Sequence, residues 1–116
     1  MRKVFYLKSC STCKKIMKKF PLAEWELREI KSAPLTENEL DELYNLSRSY
    51  EALFSKRSTQ IKERAIEVNS LKEEDFKALI LAHYSFLKRP VFVTDKDIFI
   101  GSDKANLEKL SRFFEQ

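Results

Sequence analysis

Two cysteines, separated by two residues, stand where a short apolar run gives way to a helical pattern. The apolar run is Val4–Leu7, and Cys10 and Cys13 follow it directly. The residues that recur at i, i+3, i+4 and i+7 on one helical face are Cys13, Ile16, Met17 and Phe20. This order predicts a strand, a turn that carries Cys10, and a helix that begins at the cysteine pair.

Cys10 is predicted to be the nucleophile of the pair. A turn at a helix N-terminus presents unpaired backbone N–H groups, and the helix dipole favours an anion there. Lys8, Lys14 and Lys15 add positive charge nearby. Such surroundings lower a thiol pKa from about 8.5 to about 3.5–7.5. Cys13, one turn later on the apolar face, is expected to point inward.

The composition predicts one packed globular domain that spans residues 1–116. The chain is 43% hydrophobic, contains nine Phe, four Tyr and one Trp, and has a single Gly. This length suits one core rather than two, and a chain without a glycine-rich loop lacks the usual cradle for nucleotide phosphates. No apolar run approaches the roughly 18 residues that a membrane span needs. We therefore expect a cytoplasmic protein with no membrane partner.

The cysteine count and the charge distribution exclude further classes of site. Two cysteines so close together favour redox or metal chemistry over a disulfide framework. A structural zinc site needs about four ligands, and only His83 could join the pair, so no metal is expected. His83 is instead predicted to be a core or boundary residue. The net charge of +4 arises from 22 basic and 18 acidic residues that are interspersed, which is typical of a solvated surface and predicts no direct nucleic-acid binding.

The middle of the chain predicts a second strand followed by helices. Trp25–Ile30 could form a strand or a helical turn by pattern alone, but its position after a β-α unit favours a parallel strand. Thr36–Glu39 matches a capping box and predicts a helix over residues 37–46. A second box at Ser70–Glu73 predicts another helix. One or two short helices are expected between them, over residues 50–68.

The C-terminal part predicts a hairpin and a final helix. Val91–Thr94 and Ile98–Ile100 are β-rich runs joined by a polar turn. Gly101–Asp103 ends the second run and offers caps for a helix, whose inward residues are Leu107, Leu110, Phe113 and Phe114. The order β-α-β, helices, β-β-α predicts an α/β protein with a mixed sheet and a thioredoxin- or glutaredoxin-like fold. A helical insertion covers about residues 36–86.

A series of landmarks resembles the arsenate reductase (ArsC) and Spx family of thioredoxin-fold proteins, and most closely its small reductase-like members. The landmarks are Tyr6-x-x-x-Cys10-Ser11-Thr12-Cys13-Lys14-Lys15, Arg28-Glu29-Ile30-x-x-x-Pro34-Leu35-Thr36, Lys56-Arg57-Ser58-Thr59, Leu87-Lys88-Arg89-Pro90-Val91 and Ile100-Gly101. The resemblance runs nearly from end to end, and the landmarks stand in order at suitable spacing.

The resemblance implies a thiol oxidoreductase of the arsenate reductase type. It implies that Cys10 is the nucleophile, that Arg57 and Arg89 hold an oxyanion beside it, and that Pro90 is cis. Guanidinium groups suit this role, because they bind tetrahedral oxyanions in bidentate fashion and stabilise a thiolate. No bound cofactor is implied. Glutathione, glutaredoxin or thioredoxin would donate electrons, and the substrate would be a small oxyanion or an oxidised thiol.

The sequence departs from the arsenate reductases of this family at two places. Those enzymes have a further arginine near the last strand, whereas residues 98–104 contain none. In the active-site loop they also commonly have a small polar residue at the position of Cys13, and an asparagine upstream where this chain has Lys or Ser. With Cys13 present, an attack by Cys10 on an oxidised substrate can be resolved internally, as a Cys10–Cys13 disulfide.

Two alternatives to an enzyme remain open at this level. Spx-type regulators keep such a cysteine pair as a redox sensor and bind the C-terminal domain of the RNA polymerase α subunit. This chain has Ser49 where those regulators have a functional glycine, which counts against the regulator. The enzyme is the leading hypothesis because the landmarks match the family in order. The other alternative is a relative without activity, in which Cys10 would have an ordinary pKa, the two arginines would be surface residues and Pro90 would only precede a strand.

Overall fold

A mixed four-stranded sheet is the frame of the structure, a computed structural model that describes all residues from Met1 to Gln116. The strands are β1 (Arg2–Tyr6), β2 (Glu26–Glu29), β3 (Val91–Thr94) and β4 (Ile98–Ile100). Their order in the sheet is β2-β1-β3-β4. β1 pairs with β2 in parallel, and β3 pairs antiparallel with both β1 and β4. The predicted strands and the mixed sheet are confirmed.

Six α-helices complete the fold. They are α1 (Ser11–Met17), α2 (Glu37–Ser47), α3 (Tyr50–Leu53), α4 (Gln60–Glu63), α5 (Glu73–Ala82) and α6 (Lys104–Phe114). Two single turns of 3-10 helix, Val68–Ser70 and Tyr84–Phe86, flank α5. No helix is both long enough and apolar enough to cross a bilayer.

The chain divides into two compact units. The first consists of Met1–Ala33 with Arg89–Gln116, and the second is Pro34–Lys88. The first unit contains the whole sheet with α1 and α6, and the second contains the other four helices. The predicted helical insertion, residues 36–86, lies within the second unit.

Aromatic side chains build the core of the first unit. Phe92 of β3 is fully buried and its ring meets those of Phe20, Trp25 and Phe114 edge-on, at centroid distances of 6.1, 5.7 and 6.3 Å. The buried residues of this core are Val4, Ile16, Trp25, Phe92, Phe99 and Leu110. Full burial of one Phe side chain contributes about 1.5–3 kcal/mol. The apolar faces predicted for the first and last helices therefore pack against the sheet.

The second unit has an aromatic core of its own. Phe54 and Phe86 are fully buried and stack with ring centroids 5.4 Å apart, and Phe76 of α5 lies 4.9 Å from Phe54. Two backbone hydrogen bonds hold the segments together, from Ser55 N–H to Phe86 O at 2.7 Å and from Lys88 N–H to the carbonyl of Leu53 at 2.8 Å. A helix of four residues such as α3 is marginal alone, so these tertiary contacts stabilise it.

One of the two predicted capping boxes is correct and the other is wrong. Thr36 accepts from Glu39 N–H, and the Glu39 carboxylate accepts from Thr36 N–H, so α2 begins as expected. Ser70, however, is not the N-cap of α5, because its hydroxyl donates to Glu67 O at 2.8 Å inside a 3-10 turn.

The helix α5 begins two residues after the predicted position, with Lys72 as its N-cap. The Asp75 carboxylate accepts from Lys72 N–H at 2.8 Å. Glu73, the expected last member of the box, instead accepts from the N–H groups of Tyr50 and Glu51 at 2.6 and 3.0 Å. The Glu73 carboxylate therefore caps the N-terminus of α3, a helix that lies more than 20 residues earlier in the chain.

Candidate active site

Cys10 lies at the junction between a tight turn and a helix. Leu7 O accepts from Cys10 N–H at 3.0 Å, which closes a turn centred on Lys8 and Ser9. Cys10 is also the N-cap residue of α1, with extended backbone angles. The predicted turn and helix start are confirmed. Both thiols are free, Cys10 partly exposed and Cys13 fully buried.

The two thiols differ in pKa, in opposite directions. Burial acts to raise the pKa of Cys10, but four groups together bring it below its ordinary value: the Cys13 N–H, the Cys13 side chain, the Arg89 charge and the Thr12 N–H. Burial, together with the charge of Cys10 and its hydrogen bond, raises the pKa of Cys13 to about 12. At any given pH, Cys10 is therefore thiolate to a larger fraction than Cys13. The Cys13 thiol is the hydrogen-bond donor of the pair.

Arg89 is the charged side chain that contributes most to the lower pKa of Cys10. It is partly buried, stands directly before β3, and is joined to Pro90 by a cis peptide bond. The carbonyl of Pro90 accepts from Gly101 N–H at 2.9 Å, which holds the start of β3 against the end of β4. Within the first unit, the fold therefore brings together Cys10, Cys13 and Arg89.

Arg57 lies in the second unit. It is exposed and belongs to the turn between the bridge residue Phe54 and α4. Its neighbour Ser58 is buried, with 8% exposure. The role of Arg57 in holding an oxyanion stays a prediction.

Comparison with known proteins identifies the family. A family model described as the ArsC family matches residues 5–110. The chain belongs to the ArsC family. No curated protein matches it.

Solved structures of ArsC-related proteins share the fold. An ArsC family related protein from Bacteroides fragilis is 26% identical, with a TM-score of 0.76 over 94% of this chain and 96% of that chain. An arsenate reductase from Vibrio cholerae is 15% identical, with a TM-score of 0.74 over 95% of each chain. An arsenate reductase (ArsC) related protein from Brucella melitensis is 22% identical, with a TM-score of 0.70 over 96% of this chain and 94% of that chain. The predicted thioredoxin-like fold is confirmed.

Glu29 of this ArsC-family chain contacts the turn that carries Cys10, a contact that the sequence did not predict beyond the place of Glu29 in a landmark. Its carboxylate accepts from Lys8 N–H at 2.9 Å, and on its other oxygen from Lys31 N–H, Ser32 N–H and the Ser32 hydroxyl at 3.1, 2.7 and 2.8 Å. These donors, the Lys8 N–H first among them, lower the pKa of Glu29 to about 2. One sequence signal could have indicated the contact with the turn. Glu29 is an acidic residue at the end of β2, and β2 was predicted to lie parallel to β1, the strand before Cys10.

A hydroxyl chain in the second unit of the ArsC-family fold was also missed. Ser58 Oγ lies 2.6 Å from Ser85 Oγ, which lies 2.8 Å from His83 Nδ1. His83 Nδ1 also accepts from Ser85 N–H at 3.1 Å, so the ring proton is assigned to Nε2. His83 is a half-buried boundary residue that stacks on Tyr84 at 4.5 Å, in agreement with the prediction.

Two other features of the ArsC-family chain bear on ligands. No group of three or more His, Cys, Asp or Glu side chains is arranged to hold a metal ion. An open cavity of about 470 Å³ lies on α6. Its lining residues are Lys104, Leu107, Glu108, Ser111, Arg112 and Glu115, so neither cysteine faces it.

Proposed function

We propose that this ArsC-family chain is a thiol-dependent oxidoreductase of the arsenate reductase type, acting in the reducing cytoplasm. Cys10 is its nucleophile and Cys13 its resolving thiol. The observation that supports this most is the hydrogen-bonded cysteine pair, in which one thiol has a lowered pKa and the other a raised one. A nucleophilic thiol must be a thiolate, and a thiol that is to react second is best kept protonated at first.

In the first step, the Cys10 thiolate attacks the arsenic of arsenate. A bond forms between Cys10 Sγ and arsenic, and one As–O bond breaks, so that the departing oxygen takes up protons and leaves as water. Arsenic remains As(V) in this step. Arg89 stabilises the negative charge of the oxyanion by bidentate hydrogen bonding. Arg57 is proposed as a second oxyanion-binding residue on the resemblance alone.

In the second step, the sulfur of Cys13 attacks Cys10 Sγ. The S–S bond forms as the S–As bond breaks, and the electron pair of the latter stays on arsenic. As(V) is thereby reduced to As(III), and the two cysteines are oxidised to a disulfide. The proton of Cys13 passes to an oxygen of the departing arsenite. Glutathione through glutaredoxin, or thioredoxin, would then return two electrons by thiol–disulfide exchange.

The change in the pKa of Cys13 explains why Cys10 reacts before Cys13. Burial contributes most to the Cys13 pKa of about 12. The charge of Cys10 and its hydrogen bond add to it. Both contributions disappear once Cys10 Sγ is bonded to arsenic, because the sulfur is then neutral. The pKa of Cys13 falls at that moment, although burial still raises it, so the resolving thiol becomes more reactive once Cys10 has reacted.

The test is arsenate-dependent oxidation of glutathione with glutaredoxin, and separately of thioredoxin, by the wild type, Cys10→Ser and Cys13→Ser. We expect turnover by the wild type and none by Cys10→Ser. Cys13→Ser should lose the thioredoxin-driven reaction and keep only turnover in which glutathione itself attacks Cys10. Unchanged turnover by Cys10→Ser would rule out the mechanism.

The same pair also supports a second candidate, a redox-responsive regulator of the Spx type. In that case an oxidant closes the Cys10–Cys13 disulfide, and one redox state binds the C-terminal domain of the RNA polymerase α subunit. Absence of arsenate turnover, together with redox-dependent binding of that domain in a pull-down, would favour the regulator. Binding in neither state would eliminate it.

A further inference from the structure

The carboxylate of Glu29 connects the end of β2 to the turn that carries Cys10. In the parallel pairing of β1 and β2, Glu29 is the partner of Tyr6, and Ile30 N–H donates to Tyr6 O at 2.9 Å. The Glu29 side chain extends past the end of β1 and accepts from Lys8 N–H at 2.9 Å. Lys8 is the first central residue of the turn that ends at Cys10.

The remaining contacts of Glu29 fix its carboxylate in place. One oxygen, Oε1, accepts from Lys31 N–H, Ser32 N–H and Ser32 Oγ–H, while Oε2 accepts from Lys8 N–H. A carboxylate that accepts several backbone donors is held more rigidly than a surface side chain with one partner, and each such bond is charge-assisted. The turn is therefore attached to a fixed point of the sheet.

We propose that Glu29 is a positioning residue for Cys10: its carboxylate fixes the Lys8–Ser9 turn and so sets where Cys10 Sγ stands relative to the donors of α1. The inference rests on the proposed function only for the role of Cys10 as nucleophile. It matters because the Cys13 and Thr12 N–H groups lower the pKa of Cys10, and such stabilisation weakens steeply when the distance or angle between an N–H and the sulfur becomes poor. A turn that is free to move would lose part of the stabilisation of the thiolate.

The discriminating variant is Glu29→Gln. Because three donors surround Oε1, the single oxygen of the glutamine amide will take that side. The amide NH₂ group then faces Lys8 N–H, and two donors cannot form a hydrogen bond with each other. The substitution therefore removes the hydrogen bond to the turn and keeps those from Lys31 and Ser32. Ser32→Ala is the matched control, because it removes one donor to the same carboxylate and leaves Lys8 in place. Glu26→Gln is a second control, on the same strand, whose carboxylate meets the Lys3 ammonium at 3.6 Å.

The measurement is the pH profile of Cys10 alkylation by iodoacetamide, with mass spectrometry to locate the label. We expect Glu29→Gln to move the midpoint to higher pH and to slow alkylation at neutral pH by about threefold or more, since only the thiolate reacts. Both control variants should match the wild type. An unchanged profile in a folded Glu29→Gln protein would overturn the proposal and leave Glu29 a purely stabilising residue.

A second test uses the wild type and needs no folded variant. We expect the backbone amide resonances of Lys8 and Cys10 to shift together in an NMR titration as the Glu29 carboxylate is protonated. A Cys10 amide that does not respond would overturn the proposal. Neither test contains arsenate, so failure of the proposed reductase activity would leave both results interpretable.

Discussion

Cys13 donates a hydrogen bond from its thiol to Cys10, and the two cysteines lie one helical turn apart at the start of α1. The bond lowers the pKa of Cys10 and adds to the burial that raises the pKa of Cys13, so each residue affects the protonation of the other. In the proposed reaction, Cys10 attacks first and Cys13 then closes the disulfide.

Replacement of Cys13 should raise the pKa of Cys10. In Cys13→Ala the thiol donor is lost, while the N–H of residue 13 remains, so part of the stabilisation of the thiolate disappears. An iodoacetamide profile of Cys10 should move to higher pH than in the wild type. Cys13→Ser keeps a hydrogen-bond donor at nearly the same place, so its midpoint should lie between those of the wild type and Cys13→Ala. A lower midpoint in Cys13→Ala than in the wild type would contradict the hydrogen bond.

Replacement of Arg89 should affect both the pKa of Cys10 and the oxyanion chemistry. Arg89→Gln removes the charge that lowers the pKa of Cys10, and we expect arsenate turnover to fall by about 10²-fold, as for loss of one oxyanion donor. Arg89→Lys should keep more of the pKa effect but lose the bidentate fork. Arg112→Gln, on the exposed face of α6, serves as the control for loss of one positive charge. Equal turnover in Arg89→Gln and Arg112→Gln would exclude a role of Arg89 in binding the oxyanion.

Glu29 should make the folded state sensitive to acid over a defined window. Its pKa is lowered from 4.5 to about 2 on folding. The stabilisation is therefore complete above about pH 5 and is lost as the pH falls toward 2, because in this range the unfolded state binds a proton that the folded state does not. We expect a contribution of about 1–2 kcal/mol, toward the lower end of what hydrogen bonds to a charged group supply, because solvent screens this partly exposed carboxylate.

The measurement is urea unfolding of the wild type and of Glu29→Gln at several pH values. The difference in the free energy of unfolding between them should be largest near pH 7 and shrink below pH 4. A difference that stays constant with pH would show that the carboxylate charge has no part in it.

The end of α4 offers a stabilising substitution. Ala65 has a positive φ of 52°. Ile66 N–H donates to Ile61 O and Ala65 N–H donates to Lys62 O, at 2.9 and 3.1 Å, which is the Schellman pattern that usually has Gly at this position. Ala65→Gly should stabilise the protein by about 0.5–1 kcal/mol, measured by thermal unfolding, since an L-residue is strained in this region. The same change at Ala52, inside α3, should cost about 1 kcal/mol.

Elements that depend on near neighbours could be predicted from the sequence. The helix after Thr36 begins at Glu37 because the capping box involves residues three apart. The hairpin from Val91 to Ile100 and the final helix after Asp103 follow from equally local signals. The second box failed because Glu73 found a distant partner, the free N–H groups of α3, and no local pattern reports such a competition.

By itself, the sequence determined that Cys10 stands at a helix N-terminus, because strand and helix periods are properties of successive residues. The resemblance to a family predicted that Arg89 lies beside Cys10. Only the tertiary structure decided that the charge of Arg89 acts on the thiol pair and that the Glu29 carboxylate binds the turn before Cys10. Both depend on the register between strands that are far apart in the chain. That register is set by the packing of the whole core around residues such as Phe92, and not by any short segment.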